Sequence, residues 1–183
     1  MPAALPSSTR LPVGAWRADP VHSSVEFAVS YMGVSTFRSR FADYSAELIV
    51  EDERPARLTG TVRSASAAVP SREFAAHLAG AEFFDSERYP ELRFESTLLR
   101  RDGANVEVEG LLTIKGRELP VIAIGAITEP QDDPSGNACM GLELETRIDR
   151  RQFGLEWNMT LPKGGQALGD EVTLRVSLTL ART

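Results

Sequence analysis

The last stretch of the chain alternates without a slip. Val172, Leu174, Val176, Leu178 and Leu180 interleave with Glu171, Thr173, Arg175, Ser177 and Thr179. In an extended backbone successive side chains point to opposite sides, so this run forms a strand with one apolar and one polar face. The pattern recurs along the chain, as in Leu142, Leu144, Thr146 and Ile148 against Glu143, Glu145 and Arg147. Many such strands with few helices leave a sandwich or a closed barrel as the economical architectures. About eight antiparallel strands close a barrel wide enough for one small ligand, and closure removes exposed edges.

Strands are expected at Ser24–Tyr31, around Phe37 and Phe41, at Tyr44–Val50, and, on weaker alternation, from Leu58 to Val69. Ser71 reads as the N-cap of one short helix over Arg72 to Gly80, because Phe74 and Leu78 lie one turn apart. Strands follow at Leu92–Leu99, Asn105–Ile114, Leu119–Ile127 and Leu142–Ile148, with turns at Asp102-Gly103 and Lys115-Gly116. Asp149 is placed to cap a single turn ending at Phe153, and Lys163 to Gly169 is a Gly-rich loop. Leu119–Ile127 is apolar on both faces, which fits either a lumen on one side and a packed helix on the other or a strand in the core of a sandwich. Residues 1–13, rich in Pro and Ser, read as a flexible tail, and 14–183 as one domain.

The charge balance narrows the partners. A net charge of −6 argues against nucleic acid, which needs a basic surface to displace counterions. No run reaches the 18 or so apolar residues of a membrane span, so no stable membrane insertion is expected. The N-terminal MPAALPSSTRLPVGAW lacks the pattern of a secretory signal, which points to a cytoplasmic protein. Cys139 is the only cysteine and reads as a small, half-buried strand residue.

Catalytic patterns are sparse. His22 and His77 have no metal-ligand spacing, and there is no nucleophile elbow, phosphate loop or dinucleotide fingerprint. His22-Ser23 looks like half of a triad, but neighbours on a strand point to opposite faces. His22 is therefore expected to bond backbone near a barrel end, and His77 to bond Asp85 or a strand carbonyl. No catalytic residue, metal ligand or cofactor is assigned.

Five blocks, in order, resemble the YceI family. They are Trp16 to Ser23; Val34 to Arg38 with Phe41; His77-Leu78, Phe83-Phe84-Asp85, Tyr89-Pro90, Phe94 and Ser96-Thr97; Gly110 to Gly116 with Pro120-Val121; and Ile148-Asp149-Arg150, Phe153-Gly154, Trp157 and Gly169 to Val172. The resemblance implies an extended, lipocalin-like antiparallel barrel with a helix beside it. Its elongated apolar lumen would bind a long amphiphile, a polyisoprenoid or isoprenoid quinone, without covalent chemistry. It also implies a homodimer. The chain departs from the family at Ser30-Tyr31, where members commonly carry a basic residue and a histidine, and many members are exported.

Combining alternation with that fold, the lumen is expected to be lined by Phe27, Val29, Tyr31, Phe94, Leu112, Val121, Leu142, Leu144, Leu174 and Val176, with Arg38, Arg40 and Lys163 at its mouth. Two other readings stay open: a small barrel isomerase or hydrolase using His22 or Tyr31 as acid–base group, and a ligand-free, stress-linked interaction protein with a filled barrel.

Overall fold

The computed structural model describes residues 9–183. Its strands are β1 (Gly14–Ala18), β2 (Ser24–Tyr31), β3 (Ser35–Phe41), β4 (Tyr44–Val50), β5 (Arg57–Arg63), β6 (Glu91–Asp102), β7 (Asn105–Ile114), β8 (Arg117–Ile127), the two-residue β9 (Gln131–Asp132), β10 (Ala138–Asp149) and β11 (Leu168–Arg182). One helix, α1 (Arg72–Ala79), and two 3-10 turns, Ser64–Ser66 and Arg150–Phe153, complete the set.

β1 and β2 act as two halves of one bent strand, as do β3 and β4. Trp16 pairs with Leu48 at one end of this long hairpin and Val29 with Phe37 at the other. β4 pairs with β5, and the sheet runs on through β6, β7, β8 and β10 to β11. The far edge of β11 meets β2 along its first part and β1 along its last, which closes an antiparallel barrel of eight long strands. The ring leaves no free edge along most of its circumference.

The local elements follow their chemistry. Lys115 (φ 50°) and Gly116 (φ 73°) form the tight β7–β8 turn, a backbone region that glycine enters without penalty. Ser71 Oγ accepts from the Phe74 N–H and starts α1. Gly80 ends that helix at φ −72°, so its left-handed freedom is not used. Asp149 accepts from the Arg151 N–H and caps the turn through Phe153, as the sequence indicated.

Two expectations need correction. The strand predicted from Leu58 to Val69 stops at Arg63, where Ser64 is drawn inside and its hydroxyl donates to Tyr89 O at 2.8 Å. Among the described residues no helix covers the outer face of β8 at Ile122 and Ile124, which are 58% and 63% exposed. α1 packs instead beside β3, where Phe74 meets Phe37 with ring centroids 5.3 Å apart. The reason is topological. β5 continues the sheet from β4 and not from β3, so among the described residues β3 has no strand on its outer side, and Ala67 bridges to it there, at Phe41. The segment carrying α1 fills that opening.

Of the expected tail, residues 1–8 lie outside the described residues. Arg10 to Val13 are tied to the barrel. Arg101 donates to Arg10 O at 2.9 Å, Trp16 Nε1 to Pro12 O at 3.1 Å and Arg182 to Val13 O at 3.1 Å. Leu11 packs against the core.

The barrel interior is divided lengthwise. The half nearest β1 is solid: Trp16, Leu48, Leu58, Val108, Met140, Leu142, Leu178 and Leu180 interdigitate there. A second cluster occupies the other half, built on Phe41, Leu78, Phe83, Leu112, Ile114, Ile148 and Phe153. Phe94 touches both.

Candidate functional site

The second half of the barrel is hollow. A cavity of about 510 Å³ lies between β2, β3, α1, the Phe83-Phe84 segment, the 150–157 segment and the start of β11. Ligand pockets commonly have this size and this apolar character.

Two aromatic groups form much of its wall. On one side Phe27 stacks against Phe41 at 5.3 Å and Phe37 at 6.1 Å. On the other, His77 stands edge-on to both Phe83 and Trp157, each at 4.9 Å. α1 joins the two by presenting Phe74 to the first group and His77 to the second, with the buried Leu78 lining the cavity between them. Val29, Ile114, Ile148, Val172 and Leu174 are among the aliphatic residues of the wall. Tyr31, Ser35 and Thr36 are the exposed wall residues, so the cavity reaches solvent at the β2–β3 turn.

One charged side chain stands in this wall. Arg150 is 3% exposed and spends its guanidinium on backbone: Nε donates to Gly169 O (2.8 Å), and Nη1 to Leu155 O (2.6 Å) and Trp157 O (2.8 Å). It thereby fastens the end of β10 to the Trp157 wall and to the start of β11. Nη2 has no hydrogen-bond partner, with Asp170 Oδ1 3.7 Å away. Burial pulls the group below the ordinary arginine value, while Asp170 and Asp149 oppose that shift. Next door, the hydrogen bond from Arg151 holds the Asp149 carboxyl below the usual carboxylate range.

The structure distributes the expected residues over three positions. Phe27, Val29, Tyr31 and Leu174 are on the cavity wall. Phe94, Leu112 and Val121 pack in the surrounding cluster, off the cavity surface. Leu142, Leu144 and Val176 belong to the solid half. Alternation assigns a residue to the inner face but says nothing of its level along the barrel, which explains the spread. Arg38 and Arg40 are exposed and alternate with the inward Phe37 and Phe41, so they face away from the cavity. Lys163 is exposed at the tip of a small hairpin closed by the Thr160–Gln166 bridge.

Both histidines depart from expectation. His22 is exposed and bonds a carboxylate, with Nδ1 2.6 Å from Asp19 Oδ2, while Ser23 Oγ accepts from the Thr179 N–H instead. His77 reaches neither Asp85 nor a strand carbonyl; its Nδ1 lies 3.9 Å from Glu82. Its ring is part of the cavity wall. The lining role of α1, Phe83, Arg150 and Trp157 was not in the expected set. Each sits outside an alternating strand, so periodicity carried no signal for it.

Among the described residues no group of three or more His, Cys, Asp or Glu side chains is placed to hold a metal ion. None of their helices is long and apolar enough to cross a membrane.

Comparison with known proteins agrees with this architecture. Residues 16–180 match the model of the YceI-like domain. Protein YceI of Shigella flexneri is 27% identical over 140 residues, spanning 75% of this chain and 73% of that protein. The crystal structure of Burkholderia cenocepacia BcnA superposes with a TM-score of 0.75 at 22% identity, covering 91% of this chain and 99% of the other. A polyisoprenoid binding domain from Saccharophagus degradans superposes with a TM-score of 0.64 at 11% identity, over 94% and 100% of the two chains.

Proposed function

For this chain, which belongs to the family of the YceI-like domain, we propose that the barrel binds the apolar tail of a long-chain amphiphile without covalent chemistry, as a carrier or store. The observation that carries this reading is the apolar, aromatic-walled cavity that opens at Tyr31, Ser35 and Thr36. A polyisoprenoid or isoprenoid quinone suits that wall, and the polyisoprenoid binding domain named above supports the same class by its shared fold.

Volume sets the occupancy. At roughly 30 Å³ per small group, the share of a water molecule in the liquid, a cavity of about 510 Å³ holds about 15 to 17 carbon-sized groups. Burying about 15 of them at roughly 0.8 kcal/mol each stabilises the complex by on the order of 12 kcal/mol before association costs. After costs of at least about 4 kcal/mol, micromolar affinity is within reach of tail burial alone. About three isoprene units fit within the wall, and a longer tail trails through the mouth. The elongated lumen that the resemblance implied corresponds here to one half of the barrel, because Trp16 and its neighbours pack the other half.

Binding fits the wall better than catalysis does. Among the described residues Tyr31 has no hydrogen-bonding side-chain partner, and His22 lies off the cavity. The reading of His22 or Tyr31 as an acid–base group thus finds no pairing on the wall, which favours the carrier reading. Native mass spectrometry of protein purified from its own host tests the proposal. A retained lipid of several hundred daltons is the expected result; bare polypeptide across repeated gentle preparations would overturn it.

A further inference from the structure

Eight large hydrophobic residues are exposed among the described residues, and four of them cluster beside the cavity mouth: Tyr31 on its wall, and Met32, Val34 and Met159 on two adjoining turns. Two turns present them. Met32, held at φ 53°, and Val34, 77% exposed, form the tip between β2 and β3. Met159 begins the small hairpin beside it. The turns are bound to each other through one residue: the Met32 N–H donates to Ala167 O at 2.7 Å, and the Ala167 N–H donates to Met159 O at 2.8 Å. Tyr31 belongs both to this lip and to the cavity wall, so the apolar surface continues from outside to inside.

The charges at the lip run against those of the whole chain. The protein carries 26 acidic and 20 basic residues, yet 31–38 and 158–167 contain no carboxylate. Each contains one cation, Arg38 and Lys163 respectively. Apolar tips flanked by cations have the composition of a surface that lies in the headgroup region of an anionic bilayer. A second copy of the chain fits less well. The four side chains present on the order of 400 Å², about half of the roughly 800 Å² that each partner of a standard interface buries.

From this we infer that the two turns are a bilayer-docking lip, which sets the cavity mouth against an anionic phospholipid surface so that a tail passes between membrane and barrel without crossing water. The passage of the tail rests on the lipid-binding reading; the docking itself does not.

Vesicle flotation with the full chain tests it, using phosphatidylcholine vesicles containing phosphatidylglycerol. The wild-type protein should float with them, and V34D/M159D should float at least fivefold less. R38Q/K163Q should lose roughly fivefold per charge on the anionic vesicles alone. I124D, an equally exposed apolar position elsewhere, should float like the wild type. Equal flotation of V34D/M159D and wild type overturns the inference. So does failure of the wild type to float, and then a shift of V34D/M159D from dimer to monomer on sizing would assign the lip to a second copy.

Farnesol added from ethanol, read by quenching of Trp157, tests cavity binding separately. Neither Val34 nor Met159 lines the cavity, so V34D/M159D should bind farnesol as the wild type does. Flotation without quenching would remove the lipid-binding reading and leave the docking surface intact.

Discussion

The ring of Phe94 lies across Gly110 on the neighbouring strand, so closely that a Cβ at Gly110 would stand 2.5 Å from Phe94 Cζ. Gly110 occupies an inward position of β7, between the buried Val108 and Leu112. Its missing side chain is the space into which the ring turns, an aromatic covering a glycine across a strand pair. Because Phe94 touches both clusters, this pair is the partition between the solid and hollow halves.

Gly110→Ala should destabilise the protein by about 1–3 kcal/mol, since the ring and the Glu95 carbonyl both crowd the new methyl. Urea denaturation followed by far-ultraviolet circular dichroism checks this; a midpoint equal to that of the wild type would refute the partition geometry.

Leu174→Trp enlarges a wall residue that faces empty space. It should weaken farnesol binding at least tenfold while leaving the thermal midpoint within a few degrees of wild type. Isothermal titration and calorimetry read the two quantities. Unchanged affinity would place the tail elsewhere.

Arg150→Lys should cost about 2–4 kcal/mol despite keeping the charge. A single ammonium cannot reproduce the fork that reaches Gly169, Leu155 and Trp157 at once. Trp157 should become more exposed, seen as a red shift of its fluorescence. Full stability in the lysine variant would show that charge, not geometry, is what this position supplies.

Acid should weaken the fold. Asp19, Glu91, Asp133 and Asp149 are all held below the usual carboxylate range, chiefly by hydrogen bonds: from His22 to Asp19, from Arg93 to Glu91, from the Asn137 backbone to Asp133 and from Arg151 to Asp149. A depressed folded value stabilises above the unfolded value, near about 4, and is lost as pH falls through the folded one. Stability measured from pH 6 down to 2 should therefore drop below about pH 4, and Asp149→Asn should flatten part of that drop. An unaltered profile in the variant would remove Asp149 from this account.

Much of the strand framework was legible in the chain. The bounds of β2, β4 and β7 coincide with their alternating runs, and Ser71 and Asp149 cap the turns their spacing indicated. These features depend on residues within a few positions of each other, and alternation is a local property. The site was less legible. Phe27, Val29, Tyr31 and Leu174 reach the wall, whereas Leu142, with the same alternation, is wholly buried in the solid half.

Sequence alone determined which side turns inward on the strands with one apolar face, because a pleated backbone then leaves no other choice; on β8, apolar on both faces, it did not. Tertiary structure decided where the interior is full and where it is empty. That outcome depends on residues distant in the chain meeting at one level: Trp16 with Leu180 and Met140 fills one half, while α1, Trp157 and Arg150 wall the other. Packing is a property of summed volumes across the barrel, and no periodicity along a single strand encodes it.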